Sequence, residues 1–188
     1  MKPGTRALGI AESFDREARQ STLAGAVVRA DGVLDGAIFG QCAVGGLDGT
    51  EAIIDCWDRL ERPDVQYLFL GAIAPAWYNI LDLEAIASAV ERPVIAVTFE
   101  ESDGLEDGIR DAFSGSERAR RLERYRALPP RHPFDLDGET VYLRAVDLER
   151  DRAERVVASF PRRGGRPEPI RVARMLARAG DGFVRSLE

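Results

Sequence analysis

The amino-acid sequence predicts an α/β protein built on a mixed sheet with helices on both faces. Three strand-like segments come first, and a hairpin signal, Asp31-Gly32, joins the second to the third. Helical and strand patterns then alternate along the rest of the chain. An antiparallel three-strand meander followed by helix–strand alternation indicates a sheet with both antiparallel and parallel pairs.

The elements follow in a regular order. We expect strands over residues 6–13, 23–29, 33–41, 65–71, 93–99 and 139–145. Helices are predicted after a glycine-rich turn (Val44 to Glu51), where apolar residues recur at helical spacing up to Leu60, and over residues 83–90, 105–113, 116–127, 149–160 and 169–179. Asp82 is expected to cap the second helix.

This order is the ribonuclease H-like arrangement, and 188 residues suffice for a single domain with one core. In an open sheet of this kind, ligands bind beyond the carboxyl ends of the parallel strands. Residues 71–79 and 98–103 fall there.

Composition narrows the class of protein. No apolar run approaches the roughly 20 residues that span a bilayer, and no signal peptide is evident. Cys42 and Cys56 are interpreted as free thiols in a reducing cytoplasm. The net charge is −6, yet residues 162–188 hold seven arginines against three acids, a local excess of +4. This excess suits a phosphate-bearing partner, although a solvated amphipathic helix would show it too.

The single histidine, His132, excludes zinc sites that need several histidine and cysteine ligands. It lies between prolines, which predicts a surface loop. Hydrolytic chemistry would therefore rest on carboxylates and a hard cation, Mg²⁺ or Mn²⁺.

The stretch from Ala158 to Arg174, with Pro-Glu-Pro-Ile-Arg-Val-Ala at its centre, closely resembles the C-terminal helix of endonuclease V, as does Gly9-Ile-Ala-Glu-Ser-Phe14. The chain resembles still more closely a largely archaeal, uncharacterised family related to endonuclease V, in Gly46-Leu-Asp-Gly-Thr-Glu51 and Tyr78-Asn-Ile-Leu-Asp82. The resemblance spans nearly the whole chain. It implies a ribonuclease H-like fold and endonuclease action on DNA at a deaminated base, such as deoxyuridine or deoxyinosine, in repair.

The metal ligands of endonuclease V fall on Ala11, Gly49 and Phe69 in an ungapped comparison, and its active-site histidine falls on Arg174. Glu12 and Asp48 are the neighbouring acids. The resemblance therefore implies an altered catalytic metal site built on these two carboxylates, which we expect to converge in one acidic pocket. The plainer interpretations are an exposed acid at a strand end for Glu12 and a capping box with Glu51 for Asp48.

Substrate contacts are predicted in two places. Gly45 and Gly46 would let a nucleic-acid backbone approach, and Trp77, Tyr78 and Asn79 lie in the predicted site loop, where aromatic rings stack on an extruded base or pack on the sheet. Arg171 and Arg174, one helical turn apart, would contact phosphate. The sequence thus favours a metal-dependent endonuclease acting on deaminated DNA. The alternative is an inactive nucleic-acid or protein binding module on the same fold.

Overall fold

A seven-stranded mixed sheet organises the protein in the computed structural model, which describes residues 1–163 and 165–187. The strand order is β3-β2-β1-β4-β5-β7-β6. The strands are β1 (Arg6–Ser13), β2 (Gln20–Arg29), β3 (Leu34–Ala43), β4 (Val65–Leu70), β5 (Val94–Thr98), β6 (His132–Leu136) and β7 (Glu139–Val146). Gly164 and Glu188, which belong to the basic segment counted above, lie outside the described residues.

The helices alternate with these strands as the hydrophobic periodicity predicts. They are α1 (Gly49–Leu60), the one-turn α2 (Pro75–Tyr78), α3 (Leu83–Val90), α4 (Glu106–Ala112), α5 (Gly115–Ala127), α6 (Arg150–Ala158) and α7 (Glu168–Arg185). A small hairpin of β8 (Arg162–Arg163) and β9 (Arg166–Pro167) precedes α7. The Asp82 carboxylate accepts a hydrogen bond from the Ala85 amide, so the predicted cap of α3 is confirmed. In the described part of the chain, no helix is long and apolar enough to cross a membrane.

The pairing of the strands confirms the predicted mixed sheet. Strands β1, β2 and β3 form the antiparallel meander, and β1, β4 and β5 run parallel. The turn between β2 and β3 contains Gly32 with a φ of 87°, a left-handed conformation that glycine adopts without steric cost. Strand β7 is antiparallel to β5.

The prediction of a surface loop around His132 is wrong. His132 begins β6, which pairs with β7 and, among the described strands, forms an edge of the sheet. Pro133 is tolerated there because an edge strand leaves one side of its backbone unpaired. Burial lowers the pKa of His132, and the positive charge of Arg150 lowers it further.

The opposite edge of the sheet is β3. Two of its backbone carbonyls accept hydrogen bonds from arginine side chains: Phe39 from Arg59 at 2.7 Å and Asp35 from Arg62 at 2.6 Å. Part of the backbone of this edge is therefore paired with side chains that come from α1 and the turn after it.

Buried residues form a core on each face of the sheet. On one face, Leu8 and Ile10 pack with residues of α1 and α3. On the other, Phe69 lies edge-to-face against Phe160, with ring centroids 5.2 Å apart, beside residues of α6 and α7. Helix α7 packs across β1 and β2.

The start of α7 lies directly on β1. A Cβ added to Gly9 would stand 2.2 Å from the carbonyl of Pro169, so only glycine permits this approach. The close contact sets the position of α7, and hence of its arginines, relative to the end of β1.

Candidate functional site

A cavity of about 270 Å³ opens beyond the carboxyl ends of β1 and β4. Because β1, β4 and β5 are parallel, their carboxyl ends share this edge of the sheet, as predicted for a binding site. The lining includes one carboxylate and three arginines: Glu12, Arg166, Arg174 and Arg178.

Glu12 is the carboxylate of this cavity. It is half-buried near the end of β1. Burial raises its pKa above the ordinary value for glutamate, while its own backbone amide and the charge of Arg174 act in the opposite direction. This cavity is therefore a basic pocket around one acid.

The three arginines come from two elements. Arg166 lies in β9, and Arg174 and Arg178 lie one turn apart on α7. Burial lowers the pKa of Arg166, and the charges of Arg174 and Arg178 lower it further, so the three cations repel one another. The Arg166 guanidinium lies over the Phe99 ring, 4.4 Å from its centroid. Within the described residues, none of the three forms an ion pair with a carboxylate.

The Asp48 carboxylate lies just before α1 and contacts the end of β3 and the site loop. Its carboxylate makes no capping hydrogen bond to α1, so the predicted capping box is wrong. Instead, both of its oxygens accept from the Ala43 amide, at 3.1 and 3.0 Å, and one accepts from the Asn79 side chain at 2.7 Å. The carboxylate turns back toward the end of β3 because Asn79, on the neighbouring loop, supplies a buried donor there.

Asn79 ties three segments together. Its side-chain carbonyl accepts from the Gly49 amide at 2.8 Å, and its amide group donates to the Ala43 carbonyl at 3.0 Å as well as to Asp48. The residue is fully buried. Asn79 is thus a structural link within the site loop, and its side chain is not free to contact a substrate in this conformation.

Glu12 lines this cavity and Asp48 does not, so the convergence of the two carboxylates at one metal ion stays a prediction. Both carboxylates lie near Cys42, whose pKa is raised to about 12 by burial and by the negative charges of Asp48 and Glu12. Within residues 1–163 and 165–187, no group of three or more histidine, cysteine, aspartate or glutamate side chains could hold a metal ion.

The two predicted glycines serve internal packing. Gly45 has a φ of 69°, and a Cβ added there would stand 2.8 Å from the Trp77 ring. At Gly46 it would stand 2.6 Å from the Asp48 carboxylate. The carbonyls of both glycines accept hydrogen bonds from the buried guanidinium of Arg121 in α5.

The two predicted aromatic residues differ in exposure and contacts. Trp77 and Tyr78 pack edge-to-face with each other, and both touch Phe113, which precedes α5. Trp77 remains 39% exposed. Tyr78 is half-buried, and its hydroxyl occupies the space where a Cβ of Gly108 would lie.

The two predicted phosphate contacts on α7 also separate. Arg174 lines the cavity, whereas Arg171 does not. Arg171 forms two hydrogen bonds of 2.7 Å to the buried Glu168 carboxylate, three residues before it. The partner of Arg174 in the cavity is therefore Arg178, because α7 turns this pair toward the end of β1.

The positions that correspond to the endonuclease V ligands carry no metal-binding side chain. Ala11 packs against Ala173 of α7, and the site of Gly49 is filled by Asn79. Phe69 lies inside the core. Gly71, which follows β4, lies beside Ala11, since an added Cβ there would be 3.8 Å from the Ala11 Cβ.

Sequence reasoning missed Arg166, Arg178 and Arg121. The spacing of Arg174 and Arg178, four residues apart, was a usable signal, since residues i and i+4 share a helix face. No pattern in the residues around Arg121 predicts its burial, because its contacts are to loops about 40 and 75 residues away in the chain.

With this geometry established, comparison with known proteins identifies the family. A model of the endonuclease dU family matches residues 3–180. The chain belongs to the endonuclease dU family. A UPF0215 protein of Pyrobaculum aerophilum is 34% identical over 182 residues, covering 96% of each chain.

Solved structures share the fold. A protein of unknown function from Archaeoglobus fulgidus superposes with a TM-score of 0.82 at 24% identity, covering 93% of this chain and 97% of that one. Endonuclease V of Ciona intestinalis, solved in complex with a 24mer DNA containing an inosine, superposes with a TM-score of 0.65 at 12% identity, covering 98% and 87%. This member of the endonuclease dU family thus has an endonuclease V-like fold.

Proposed function

We propose that this protein is an endonuclease that cuts DNA at a deaminated base, deoxyuridine or deoxyinosine, in a repair role. The observation that carries the proposal is the cavity beyond β1 and β4, where the half-buried Glu12 carboxylate meets three arginines that form no ion pair within the described part of the chain. Membership of the endonuclease dU family and the endonuclease V-like fold support it.

The arginines suit a phosphodiester. Guanidinium groups bind phosphate oxygens through paired hydrogen bonds. Arg166, Arg174 and Arg178 place three positive charges around a cavity in a protein whose net charge is −6. Their mutual repulsion raises the free energy of the empty site, and a phosphate relieves that repulsion when it binds. The site therefore favours an anionic backbone over a neutral ligand.

A divalent cation fits this site only together with substrate. Mg²⁺ usually keeps several waters and is held by one or two carboxylates plus substrate phosphates. Glu12 would supply the carboxylate in the cavity, whereas Asp48 already accepts three hydrogen bonds and orients the β3–α1 loop. When bound, Mg²⁺ or Mn²⁺ would lower the pKa of a water nucleophile and neutralise charge on the phosphate.

The chain's own residues would then act as follows. Arg174 and Arg178 hold the phosphate against the end of β1 and stabilise the negative charge that develops on its oxygens. Arg174 also favours the ionised form of Glu12 and so partly offsets the burial that raises the pKa of this carboxyl. Helix α7, fixed by its contact with Gly9, keeps these groups in register.

One observation favours the second candidate, an inactive binding module on this fold. The described residues contain no preformed cluster of three metal-ligating side chains. Such a module would bind lesion-bearing DNA through the same arginines without cutting it.

The test is cleavage of end-labelled oligonucleotides that carry deoxyuridine, deoxyinosine or deoxyxanthosine, with Mg²⁺, Mn²⁺ or EDTA. We expect a nick at the lesion that needs the cation and is lost in Glu12→Gln and Arg174→Ala. Arg120→Ala, an exposed arginine on α5 outside the cavity, is the matched control. Lesion-selective binding without any cleavage would establish the binding module instead, and cleavage that survives Glu12→Gln would place the chemistry elsewhere.

A further inference from the structure

The loop between β4 and α3 holds an unusual stretch of backbone. Ala76, Trp77 and Tyr78 have φ of 49°, 60° and 59°, three consecutive residues in the left-handed region. None is glycine, and residues with a Cβ rarely adopt this conformation. Such conformations persist only where the surrounding structure determines them, and they cluster at functional sites.

Arg121 determines the conformation of this turn. Its side chain is 1% exposed and donates to the carbonyl of Tyr78 at 3.2 Å and to those of Gly45 and Gly46. The Gly45 amide donates in turn to the Ala76 carbonyl at 2.7 Å. One guanidinium thus ties the left-handed turn to the loop after β3.

Aromatic packing completes the support. The Arg121 guanidinium lies over the Phe113 ring, 3.8 Å from its centroid, and the Trp77 ring packs against Phe113 with centroids 5.2 Å apart. Gly45 lies under the Trp77 ring. Trp77 is nevertheless 39% exposed, so its contacts leave part of the residue open to solvent.

The loop that carries Trp77 begins at the arginine cavity. The turn Pro75–Tyr78 packs against β1, the strand that carries Glu12. Gly71, at the start of the same loop, lines the cavity itself. One loop therefore links the exposed aromatic ring to the arginine cavity.

We propose that Trp77 is the surface on which an unpaired nucleobase stacks, and that Arg121 is the positioning residue that holds it there. The identity of the ligand rests on the proposed function. A nucleobase suits this surface better than an apolar side chain because the neighbouring guanidiniums require an anionic ligand, and a nucleotide carries both groups. Tyr78 is half-buried, and its hydroxyl packs against Gly108.

The first experiment follows Trp77 directly. The chain has two tryptophans, so Trp57→Phe leaves Trp77 as the only one. This variant is titrated in EDTA with a single-stranded oligonucleotide containing one deoxyuridine, and with the same strand carrying an abasic site at that position. We expect quenching of Trp77 fluorescence by the deoxyuridine strand and much weaker quenching by the abasic strand. Equal quenching by both would overturn the proposal.

Affinity provides the second measurement. Trp77→Ala should raise the Kd for the deoxyuridine strand about 5- to 150-fold, the change that corresponds to about 1–3 kcal/mol for one stacked base. Trp77→Phe should keep most of the affinity because phenylalanine retains an aromatic face. An unchanged Kd in Trp77→Ala would overturn the stacking role.

A double-variant comparison tests Arg121. Arg121→Lys should weaken binding and shift the emission of Trp77, with Arg120→Ala as the control on the same helix. If Arg121 acts through Trp77, Arg121→Lys causes no further loss in a Trp77→Ala background. Equal losses in both backgrounds would overturn the positioning role. Glu117→Gln, which removes the ion pair of Arg121 with an exposed partner, gives a milder version should Arg121→Lys unfold.

The outcomes separate this inference from the proposed function. Selective quenching of Trp77 without any cleavage would refute the nuclease and leave the stacking surface standing. Cleavage by Trp77→Ala with parental kcat and KM would refute the stacking surface and leave the nuclease standing.

Discussion

Replacing Arg174 and Arg178 together with alanine tests whether the cavity binds the DNA backbone. Each arginine that contacts phosphate contributes about 0.9 to the slope of log K against log salt on duplex DNA. Two such contacts predict a slope shallower by about 1.8 in the double variant. Between 50 and 200 mM salt, the Kd of the parent should therefore rise by a factor about twelvefold larger than the Kd of the double variant does.

The measurement is fluorescence anisotropy with a labelled deoxyuridine duplex in EDTA, across that range of salt. Arg171→Ala is the matched control, because it removes the same charge from the same helix while its guanidinium is engaged by Glu168. We expect the control to keep the parental slope and to unfold at a lower temperature. A parental slope in the double variant, or an equal flattening in Arg171→Ala, would refute the assignment of the cavity as a phosphate site.

Three further predictions concern the residues around the cavity. Burial raises the pKa of Glu12, so ionisation of this carboxyl destabilises the folded state as pH rises through that pKa. Glu12→Gln should therefore raise the thermal midpoint at pH 7 and leave it unchanged below pH 4. An equal effect at both pH values would contradict this expectation. Asn79→Ala should lower the free energy of unfolding in urea by about 3 kcal/mol or more, because it leaves buried groups without hydrogen-bond partners at about 1–3 kcal/mol each. Asp82→Ala, which removes the cap of α3, should lower it by about 1 kcal/mol. Gly45→Ala should destabilise the fold by at least roughly 1–2 kcal/mol, the cost of an alanine in the left-handed region. Gly182→Ala lies in α7 with open space around the added Cβ and should stabilise the fold by about 1 kcal/mol. Similar urea midpoints for the two variants would contradict the packing described for Gly45.

The sequence predicted those features that depend on neighbouring residues. The β2–β3 hairpin follows from Asp31-Gly32, and the α3 cap follows from Asp82, since both signals act within a few residues. The edge strand β6 was missed because a proline next to a histidine looks like a loop until β7 is known to pair with it.

The candidate site depended on long-range contacts. Asp48 was expected to cap α1, but Asn79, 31 residues later, draws its carboxylate away. Composition alone does not show which of Arg171 and Arg178 lines the cavity. The docking of α7 on Gly9 sets which face of the helix meets the cavity, and Arg178 lies on that face, whereas Arg171 is held by Glu168 three residues before it.

The two edges of the sheet have a consequence for how the molecule behaves at high concentration. An open edge strand is a template on which a second chain can add its own strand. Here Arg59 and Arg62 donate hydrogen bonds to two carbonyls of β3, and Pro133 in β6 has no backbone N–H to donate. An incoming strand would have to displace charged side chains at one end of the sheet and accept a missing hydrogen bond at the other. The sheet therefore stops at seven strands, and growth into a polymer through its edges is disfavoured at both ends.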